Sequence, residues 1–343
     1  MDDGKVKEGL RSRGWDDLSG ASLDELGEEL VLARLIALAG KEGAIPAGDD
    51  AAGWSQDGGV GLISTDTMVE GVHFRRTFQS PYLLGEKAWA QAASDLAAMG
   101  AWPQLAVVAG VFPGSTPVEA VEAVQLGLVE AAGAVGARIV GGDLSSGPVV
   151  TVTVTVVGGT RDGNPVRLGA ARSGDRILVT GRLGAAAAAL ISLQAGGEPA
   201  PPAWMERLIR PSARLAEGEL LRRRGCTALT DLSDGLVLDA RRMAGASGLR
   251  IELWAQRLPL ADPVPGPLPG SALGLALTGG EDYELLAAIP PSEVDGLLAA
   301  WPSQLAPLSE VGVAGPGHGV LVLDHPGGSE LAVGGEVGYQ HFR

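Results

Sequence analysis

The stretch Val149-Val150-Thr151-Val152-Thr153-Val154-Thr155-Val156-Val157 bears on the fold class, because its valines and threonines alternate. Alternation with a period of two predicts a half-buried strand, with one face on a core. Strands of a doubly wound parallel sheet are covered on both faces and read as continuous apolar runs. The stretch therefore favours an antiparallel or exposed-face strand and argues against one doubly wound sheet.

A segment rich in Gly, Arg and Asp, residues 158–174, follows this strand and indicates a domain boundary. The chain has 343 residues, which exceeds the usual size of a single hydrophobic core. We predict a flexible arm at residues 1–20, an N-terminal domain at 21–160 and a C-terminal domain at 170–343. Both domains are predicted to be mixed α/β, because strand and helix patterns follow one another in each.

Helix starts are marked by capping residues and prolines. Ser22-Leu23-Asp24-Glu25 is a capping box, which predicts a helix to Leu38. Ser80-Pro81 predicts a second helix to Gly100, with proline at its first position. The other predicted helices are 117–135, 184–193, one ending at Arg224, and 234–246. Predicted strands are 60–64, 105–112, 138–140, 149–157, 175–180, 228–232, 285–289, 309–313 and 319–323.

The formal net charge is −15, which argues against a nucleic-acid backbone as the main partner. A phosphorylated substrate is still compatible with this charge, provided that metal ions neutralise it. The single cysteine, Cys226, excludes an intramolecular disulfide, and it is interpreted as a small residue at an element start. No apolar run reaches the roughly 20 residues that a membrane span needs. With no signal peptide at the polar start, we expect a cytoplasmic protein.

Several acidic residues stand beside Gly, Ser or Thr. Carboxylates next to hydroxyls and bare backbone are the oxygen ligands that suit Mg²⁺, which also takes waters and phosphate oxygens. The pattern predicts a site that gathers several Mg²⁺ ions around a polyphosphate. The stretches are Gly48-Asp49-Asp50-Ala51-Ala52, Ser64-Thr65-Asp66-Thr67, Ser94-Asp95-Leu96, Gly141-Gly142-Asp143 and Thr230-Asp231-Leu232-Ser233-Asp234-Gly235.

Three of these acids are predicted at the carboxyl ends of strands, where α/β sheets bind ligands: Asp66, Asp143 and Asp231. Ser233 or Asp234 is expected to cap the helix that follows, which leaves Asp231 unexplained. Asp95 lies in an apolar helix, where a carboxylate is costly unless it is paired or bound to metal. We interpret the set as metal ligands, while a turn or structural role is the alternative for each one alone.

The sequence lacks the common nucleotide-binding and nucleophile motifs. No Gly-x-x-x-x-Gly-Lys-[Ser/Thr] loop is present, and no Gly-x-Gly-x-x-Gly lies between a strand and a helix. Gly315-Pro316-Gly317-His318-Gly319 is predicted to be a turn between strands. No Ser/His/Asp or Cys/His set is evident, and phosphoryl transfer needs none, because the protein mainly positions groups and neutralises charge.

Eight motifs in order carry a family resemblance, from about Leu26 to Phe342. They are Gly48-Asp49-Asp50-Ala51-Ala52, Ile63-Ser64-Thr65-Asp66-Thr67, Gly71-Val72-His73-Phe74, Ser94-Asp95-Leu96-Ala97-Ala98-Met99-Gly100, Gly141-Gly142-Asp143, Asp231-Leu232-Ser233-Asp234-Gly235-Leu236, Gly279-Gly280-Glu281-Asp282-Tyr283-Glu284-Leu285 and Gly338-Tyr339-Gln340-His341-Phe342. The set resembles the thiamine-monophosphate kinases, a family of the aminoimidazole ribonucleotide synthetase superfamily.

The resemblance implies direct, in-line transfer of the ATP γ-phosphate to thiamine monophosphate, with several Mg²⁺ ions and no general base. It implies an α/β (α+β) fold of two mixed domains and a homodimer in which the N-terminal sheets join. The implied Mg²⁺ ligands are Asp50, Ser64, Thr65, Asp66, Asp95, Asp143, Asp231 and Asp234. ATP would meet Gly142, Asp143 and Ser233, and thiamine monophosphate would meet His73, Glu281 and Tyr339.

Two departures from the family pattern stand out. The family has an Arg-Ser-Gly segment before its second domain, with the arginine on ATP, whereas here Leu168 occupies the arginine position. Arg167, one residue earlier, is the candidate substitute for ATP binding. The first 20 residues or so precede the usual start of the family and are expected to do no chemistry.

Two alternatives are weaker. One is another ATP-dependent enzyme of the superfamily, making aminoimidazole ribonucleotide, selenophosphate or a hydrogenase cofactor precursor. The last two need a reactive N-terminal Cys or selenocysteine and a C-terminal Cys, which this sequence lacks, since its end is His341-Phe342-Arg343. The other alternative is a non-catalytic regulator that binds Mg²⁺ and nucleotide, which would not need His73, Glu281 and Tyr339.

Overall fold

A computed structural model describes residues 22–26, 30, 31, 33, 44, 45, 49–56, 59–195, 200–261, 271–333, 338 and 339. The chain divides into two units, residues 42–339 and residues 1–41 with 340–343. In the smaller unit the capping box forms as predicted, because Ser22 N donates to Glu25 Oε2 at 2.7 Å and Glu25 N donates to Ser22 Oγ at 3.2 Å. It opens helix α1, Leu23–Leu26. The predicted arm and much of the helix predicted to Leu38 lie outside the described residues.

The first half of the larger unit is a five-stranded sheet with the order β1-β2-β5-β3-β4. Only β3 and β4 run parallel, and the other neighbours are antiparallel. Two helices belong to this half, α2 (Pro81–Ala98) and α3 (Val118–Ala134). The strands are β1 Ala52–Gln56, β2 Gly59–Val69, β3 Trp102–Phe112, β4 Arg138–Ser146 and β5 Thr151–Gly159.

Strand β5 confirms the half-buried strand that the Val/Thr alternation predicts, two residues later than expected. Val152, Val154 and Val156 are buried against the core of this half. Thr153 and Thr155 point to the opposite face, where they hydrogen-bond Thr67 and Thr65 of β2, each at 2.9 Å. The sheet therefore has a helix-covered inner face and an outer face that is rich in hydroxyl groups.

The second half is a six-stranded sheet with the order β11-β8-β10-β6-β9-β7. It is antiparallel except for β8 with β11. Its strands are β6 Arg176–Thr180, β7 Ala228–Asp231, β8 Arg250–Trp254, β9 Leu285–Ile289, β10 Leu308–Gly315 and β11 Gly319–Leu323. Its helices are α4 Ala185–Ala195, α5 Pro202–Ile209, α6 Leu215–Arg223, α7 Leu236–Ser247, α8 Ala272–Thr278 and α9 Pro291–Ala299.

Two mixed α/β halves confirm the predicted fold class, and residues 316–318 form the predicted turn between β10 and β11. The helix predicted to end at Arg224 is instead two helices, α5 and α6, with Pro211 between them. The elements β1, β8, α8 and α9 were not predicted. Each has five to nine residues, a length at which apolar periodicity separates helix from strand poorly.

Helix α2 joins the two halves. Thirteen of its residues are buried, including residues on every side of the helix, which is the pattern of a helix enclosed by protein. Its apolar residues pack against the first sheet, while Ala97 and Ala98 belong to a core cluster with Leu178 and Leu229 of the second. Polar side chains on α2 are therefore held firmly between the two sheets.

Helices α2 and α3 cross closely at two glycines. A Cβ atom on Gly127 would lie 2.1 Å from the Tyr82 carbonyl oxygen, and one on Gly85 would lie 2.1 Å from the Val124 carbonyl oxygen. Neither contact leaves room for a methyl group, because both nearby atoms are backbone.

We expect Gly127→Ala to lower the free energy of unfolding by about 2–4 kcal/mol, because the helices must separate to admit the methyl group. Gly133→Ala, also on α3, is the matched control, since no atom lies within 4 Å of its added Cβ. That variant should be neutral or gain up to about 1 kcal/mol. Urea unfolding of both proteins measures the difference, and equal stabilities would contradict the close crossing.

Candidate active site

A cluster of carboxylates lies where α2, β2, β7 and the loop before β1 meet. It brings together five of the six predicted metal-binding aspartates, Asp50, Asp66, Asp95, Asp231 and Asp234, which influence one another electrostatically. The predicted hydroxyl ligand Ser64 is also there. We call this set the carboxylate cluster.

Strand β2 supplies Ser64 and Asp66 from its interior. The prediction that Asp66 ends a strand is wrong, because β2 continues to Val69. The reason is that β2 pairs with β5 along its residues Gly61 to Val69. Residues 64 and 66 share the inner face, where Ser64 Oγ donates to Asp95 Oδ2 and Gln91 Nε2 donates to Asp66 Oδ1 at 3.2 Å.

Helix α2 presents Gln91, Ser94 and Asp95 on one side, because residues three and four apart lie together on a helix. Ser94 Oγ donates to Asp231 Oδ2 of β7. The helix thus holds carboxylates from both halves of the chain. Asp95 is paired with a hydroxyl, which does not neutralise it, so the cost of a buried carboxylate in an apolar helix is still uncompensated.

Asp50 carries an oxygen without a partner. Thr230 Oγ1 donates to Asp50 Oδ1 at 2.8 Å, whereas Asp50 Oδ2 is buried and has no hydrogen-bond partner among the residues that the structure describes. Such an oxygen is costly unless a cation or a ligand satisfies it. Its neighbour Asp49 has a structural role, which is the alternative interpretation of these acids, since it accepts from Leu168 N at 3.0 Å and lies 3.2 Å from Arg167 Nε.

Asp231 is the last residue of β7, which confirms its predicted place at a strand end. The following loop reaches α7 through Gly235, whose φ of 117° favours glycine. The prediction that Ser233 or Asp234 caps α7 is wrong. Asp239 Oδ2, from the first turn of the helix, instead accepts from the backbone N–H groups of Asp234 and Gly235, each at 3.1 Å.

Burial and mutual repulsion disfavour the ionised carboxylates. Burial, with Asp231 as the next cause, raises the pKa of Asp66 to about 6. Burial likewise raises the pKa of Asp231 to about 6, with a contribution from Asp234. The pKa values of Asp50 and Asp95 lie well above the usual range, for the same two reasons. A divalent cation bound here would offset this cost and favour the ionised carboxylates.

The donor set fits Mg²⁺ bound together with phosphate. Within the described part of the chain, no three Asp, Glu, His or Cys side chains converge tightly enough to hold a metal ion by themselves. Mg²⁺ does not require such a cage, because it is commonly bound by one or two carboxylates plus waters and substrate phosphates. The orphan oxygen of Asp50 and the crowding of the carboxylates, of which Asp234 pairs with Arg242 at 2.6 Å, fit that mode.

A strained segment, residues 279–284, borders the carboxylate cluster. Glu281 and Tyr283 have φ values of 67° and 48°, a region that costs energy for residues other than glycine. Both backbone N–H groups are anchored to the loop after β7: Glu281 N donates to Ser233 O at 2.8 Å, and Tyr283 N donates to Leu232 O at 2.9 Å.

The three acidic side chains of this segment connect it to several other helices and strands. Glu281 pairs with Lys87 of α2 at 3.0 Å. Asp282 accepts from Gly184 N, just before α4, at 3.0 Å. Glu284 is fully buried and accepts from Thr180 Oγ1 and Arg214 Nε, each at 2.7 Å. These contacts offset the backbone strain.

Three residues predicted to bind a substrate, Tyr339, Arg167 and His73, are placed outside the carboxylate cluster. Tyr339 N donates to Asp234 O at 3.0 Å, which places this residue beside the carboxylate cluster. Arg167 lies next to Asp49 and is half exposed. His73 is in the turn after β2, where its Nδ1 accepts from Val69 N at 2.9 Å.

Thr65, Gly142 and Asp143 are not part of the carboxylate cluster. Thr65 Oγ1 bonds Thr155 on the outer face of the sheet. Asp143 lies within β4, so its predicted place at a strand end is wrong. It is in register with Ala109, Thr153 and Thr67, and therefore also faces outward. Three strand spacings separate β4 from β2, which is about 14 Å.

Some side chains of the site were not predicted: Lys87, Gln91, Ser94, Thr230 and Asp239. Two of them share a sequence signal, because Lys87 and Gln91 are spaced by four residues from each other and Gln91 by four from the predicted Asp95, so that all three lie on one helix face. Asp239 carried no such signal, since its partners are backbone N–H groups.

Two other predictions concern residues away from the site. Cys226 is buried just before β7, and burial raises the pKa of its thiol. This agrees with a packing role for Cys226 and not with a reactive thiol. Among the described residues, no helix has the length and apolar character needed to cross a membrane.

Two domains of a known protein family match the two halves of the chain. The AIR synthase related protein N-terminal domain matches residues 48–160, and the C-terminal domain matches residues 172–324. The thiamine-monophosphate kinase of Mycobacterium tuberculosis (strain CDC 1551 / Oshkosh) is 37% identical, covering 78% of this chain and 81% of that protein. The thiamine-monophosphate kinase of Bacillus subtilis (strain 168) is 33% identical, covering 77% and 83%.

A solved structure, AaThiL complexed with AMPPCP and TMP, resembles the whole chain. It aligns with a TM-score of 0.81 at 31% sequence identity, covering 95% of this chain and 100% of that chain.

Proposed function

Because the chain belongs to the thiamine-monophosphate kinases of the AIR synthase related family, we propose that it transfers the γ-phosphate of ATP to thiamine monophosphate. The products are thiamine diphosphate and ADP. The observation that carries the proposal is the carboxylate cluster, which is built from both halves of a chain that matches these kinases over most of its length. The other superfamily enzymes and a non-catalytic regulator are set aside, because the relatives from Mycobacterium tuberculosis and Bacillus subtilis are thiamine-monophosphate kinases.

The chemistry suits this arrangement of residues. The acceptor is already a phosphate monoester, so the reaction needs little deprotonation and no strong general base. The main barrier is repulsion between anions, which amounts to about 4 kcal/mol for two unit charges ~4 Å apart at an effective dielectric of ~20. Aspartates alone would add to this repulsion, and the chain must therefore work with divalent cations.

Mg²⁺ bound here would neutralise the phosphates and align the reacting oxygens. Asp50, Ser64, Asp66, Asp95, Asp231 and Asp234 are the residues that would hold it. Ser94 and Thr230 orient Asp231 and Asp50 by their hydrogen bonds. Gln91 does the same for Asp66. Their role is to fix the carboxylates before the phosphates arrive, so that little reorganisation accompanies the transfer.

Glu281, Tyr339 and His73 are proposed to bind thiamine monophosphate. The Glu281 carboxylate suits the cationic thiazolium ring by charge, and Tyr339, which is 43% exposed, offers an aromatic face for stacking. Ser233 and Arg167 are proposed to contact ATP. Ser233 directly precedes Asp234 of the carboxylate cluster, and Arg167 pairs with Asp49, the neighbour of Asp50.

A homodimer would complete the site. Thr65 and Asp143 face away from the carboxylate cluster, and Gly142 precedes Asp143 in β4. Strand β4 is an edge strand with exposed apolar side chains at Val140 and Leu144. Long exposed edges of this kind are normally paired or covered. We propose that the first sheets of two copies join at this edge and outer face, so that the partner's Asp143 and Gly142 reach the metal-bound ATP. We also expect the dimer to act in the cytoplasm.

The direct test is an assay with purified protein, MgATP and either thiamine monophosphate or free thiamine. Chromatography should show thiamine diphosphate from the monophosphate and no phosphorylated product from thiamine, because the acceptor must be a phosphate. Phosphorylation of thiamine, or no diphosphate at all, would overturn the assignment.

A further inference from the structure

Lys87 is a buried cation in the interior of the protein. Its side chain has no exposed surface, and its Nζ lies 3.0 Å from Glu281 Oε1. A buried ammonium is costly to desolvate unless it is paired. Lys87 belongs to α2 in the first half of the chain, and Glu281 belongs to the second half. The pair is therefore a charged contact between the halves at the edge of the site.

The position of Lys87 on α2 relates it to the carboxylate cluster. Lys87, Gln91 and Asp95 are spaced by four residues, so they form one row along the helix. Gln91 donates a hydrogen bond to Asp66 of the carboxylate cluster, and Asp95 is a member of that cluster. Lys87 lies about 12 Å from Asp95 along the helix axis, at 1.5 Å per residue. The row thus has a cation at one end and carboxylates at the other.

Glu281 needs such a partner for two reasons. Its backbone is in the strained left-handed region, so the side-chain direction must be fixed by contacts. Asp66, Asp231, Asp234 and Glu281 also crowd one region, since all four act on the buried Tyr283 hydroxyl. Repulsion from these neighbours would push the Glu281 carboxylate away from them, and the Lys87 ammonium at 3.0 Å holds it in place.

We propose that Lys87 is a positioning residue, which holds the Glu281 carboxylate in the direction from which it contacts the cationic ring of the substrate. This rests on the proposed function, in which Glu281 binds thiamine monophosphate. Glu281 keeps 25% of its side chain exposed while it pairs with Lys87. One carboxylate can therefore contact the buried ammonium on one side and the substrate on the other.

The test compares Lys87→Met, Glu281→Gln and the double variant in steady-state assays with MgATP and thiamine monophosphate. Lys87→Met should raise KM for thiamine monophosphate by roughly 10- to 100-fold, the range found when the partner of a ligand-binding group is removed. KM for ATP should change by less than about twofold, because the Lys87–Glu281 pair is proposed to act only on thiamine monophosphate. The double variant should match Glu281→Gln alone, since Lys87 acts through Glu281.

Arg210→Met is the matched control. It breaks the ion pair at 2.7 Å between Arg210, the residue after α5, and Glu86, the neighbour of Lys87 on α2, without touching Glu281. This variant should keep both KM values. If Lys87→Met does not fold, Lys87→Met with Glu281→Met removes both charges, and recovered folding together with an unchanged KM for thiamine monophosphate would refute the proposal.

The proposal is also refuted if Lys87→Met raises both KM values equally, or if its effect is undiminished in the Glu281→Gln background. Wild-type turnover is measured first. A wild-type protein without activity on thiamine monophosphate would refute the proposed function, whereas a fully active wild type with a normal Lys87→Met variant refutes only the role of Lys87.

Discussion

Asp231→Asn should lower kcat by about 10³-fold or more, which corresponds to roughly 4 kcal/mol of the activation barrier. The amide has the same shape as the carboxylate and can still bond Ser94 Oγ, but it carries no charge for a cation. The fold should persist. Because burial and Asp234 disfavour the ionised form of Asp231, removing its charge should leave the metal-free protein at least as stable as before. Asp66→Asn should behave in the same way.

Asp175→Asn is the contrasting control. Asp175, the residue before β6, is also a buried aspartate with 3% of its surface exposed. It differs from Asp231 in its partners, because it accepts hydrogen bonds from Arg172 N and Thr227 Oγ1. Its replacement should lower the melting temperature and leave the turnover of the folded protein near normal. Rate assays and thermal unfolding of the three variants separate the two patterns. Near-normal turnover in both Asp66→Asn and Asp231→Asn would refute their metal-binding roles.

Mixing two inactive variants should restore activity. Asp66 lies in the carboxylate cluster, whereas Asp143 faces outward on β4 and is proposed to act on the partner's site. A heterodimer of Asp66→Asn and Asp143→Asn then has one site with both substitutions and one with neither. Purified through two different tags, it should show about half the wild-type turnover per dimer, because a twofold dimer has two equivalent sites.

A second heterodimer controls this experiment. Asp66 and Asp231 belong to the same carboxylate cluster, so a heterodimer of Asp66→Asn and Asp231→Asn leaves every site with one substitution and should be inactive. If the Asp66→Asn and Asp143→Asn heterodimer is equally inactive, Asp143 does not act across a dimer. A monomer in sedimentation experiments would contradict the shared site altogether.

Local patterns in the sequence predict much of this molecule. The Val/Thr alternation gives β5 and its two unlike faces, and the capping box gives the start of α1. The strand–turn–helix pattern places Asp231 at the end of β7. These predictions hold because each one depends only on residues that are close together in the sequence.

The faces of Asp66 and Asp143 could not be predicted in this way. Both were expected at strand ends, where side chains from different strands meet. Pairing with distant strands instead extends β2 and β4 past these residues, and strand alternation then sends Asp66 to the inner face and Asp143 to the outer face. The contact of Lys87 with Glu281 also joins residues far apart in sequence, which no local periodicity reveals.

A Mg²⁺ titration of the chelator-treated protein tests the central claim most directly. With ATP and thiamine monophosphate present, formation of thiamine diphosphate should be undetectable without a divalent cation and should rise to a plateau as Mg²⁺ is added. The reason is that the carboxylate cluster repels both phosphate-bearing ligands until cations neutralise it. Product formation without any divalent cation, or none at saturating Mg²⁺, would contradict this account.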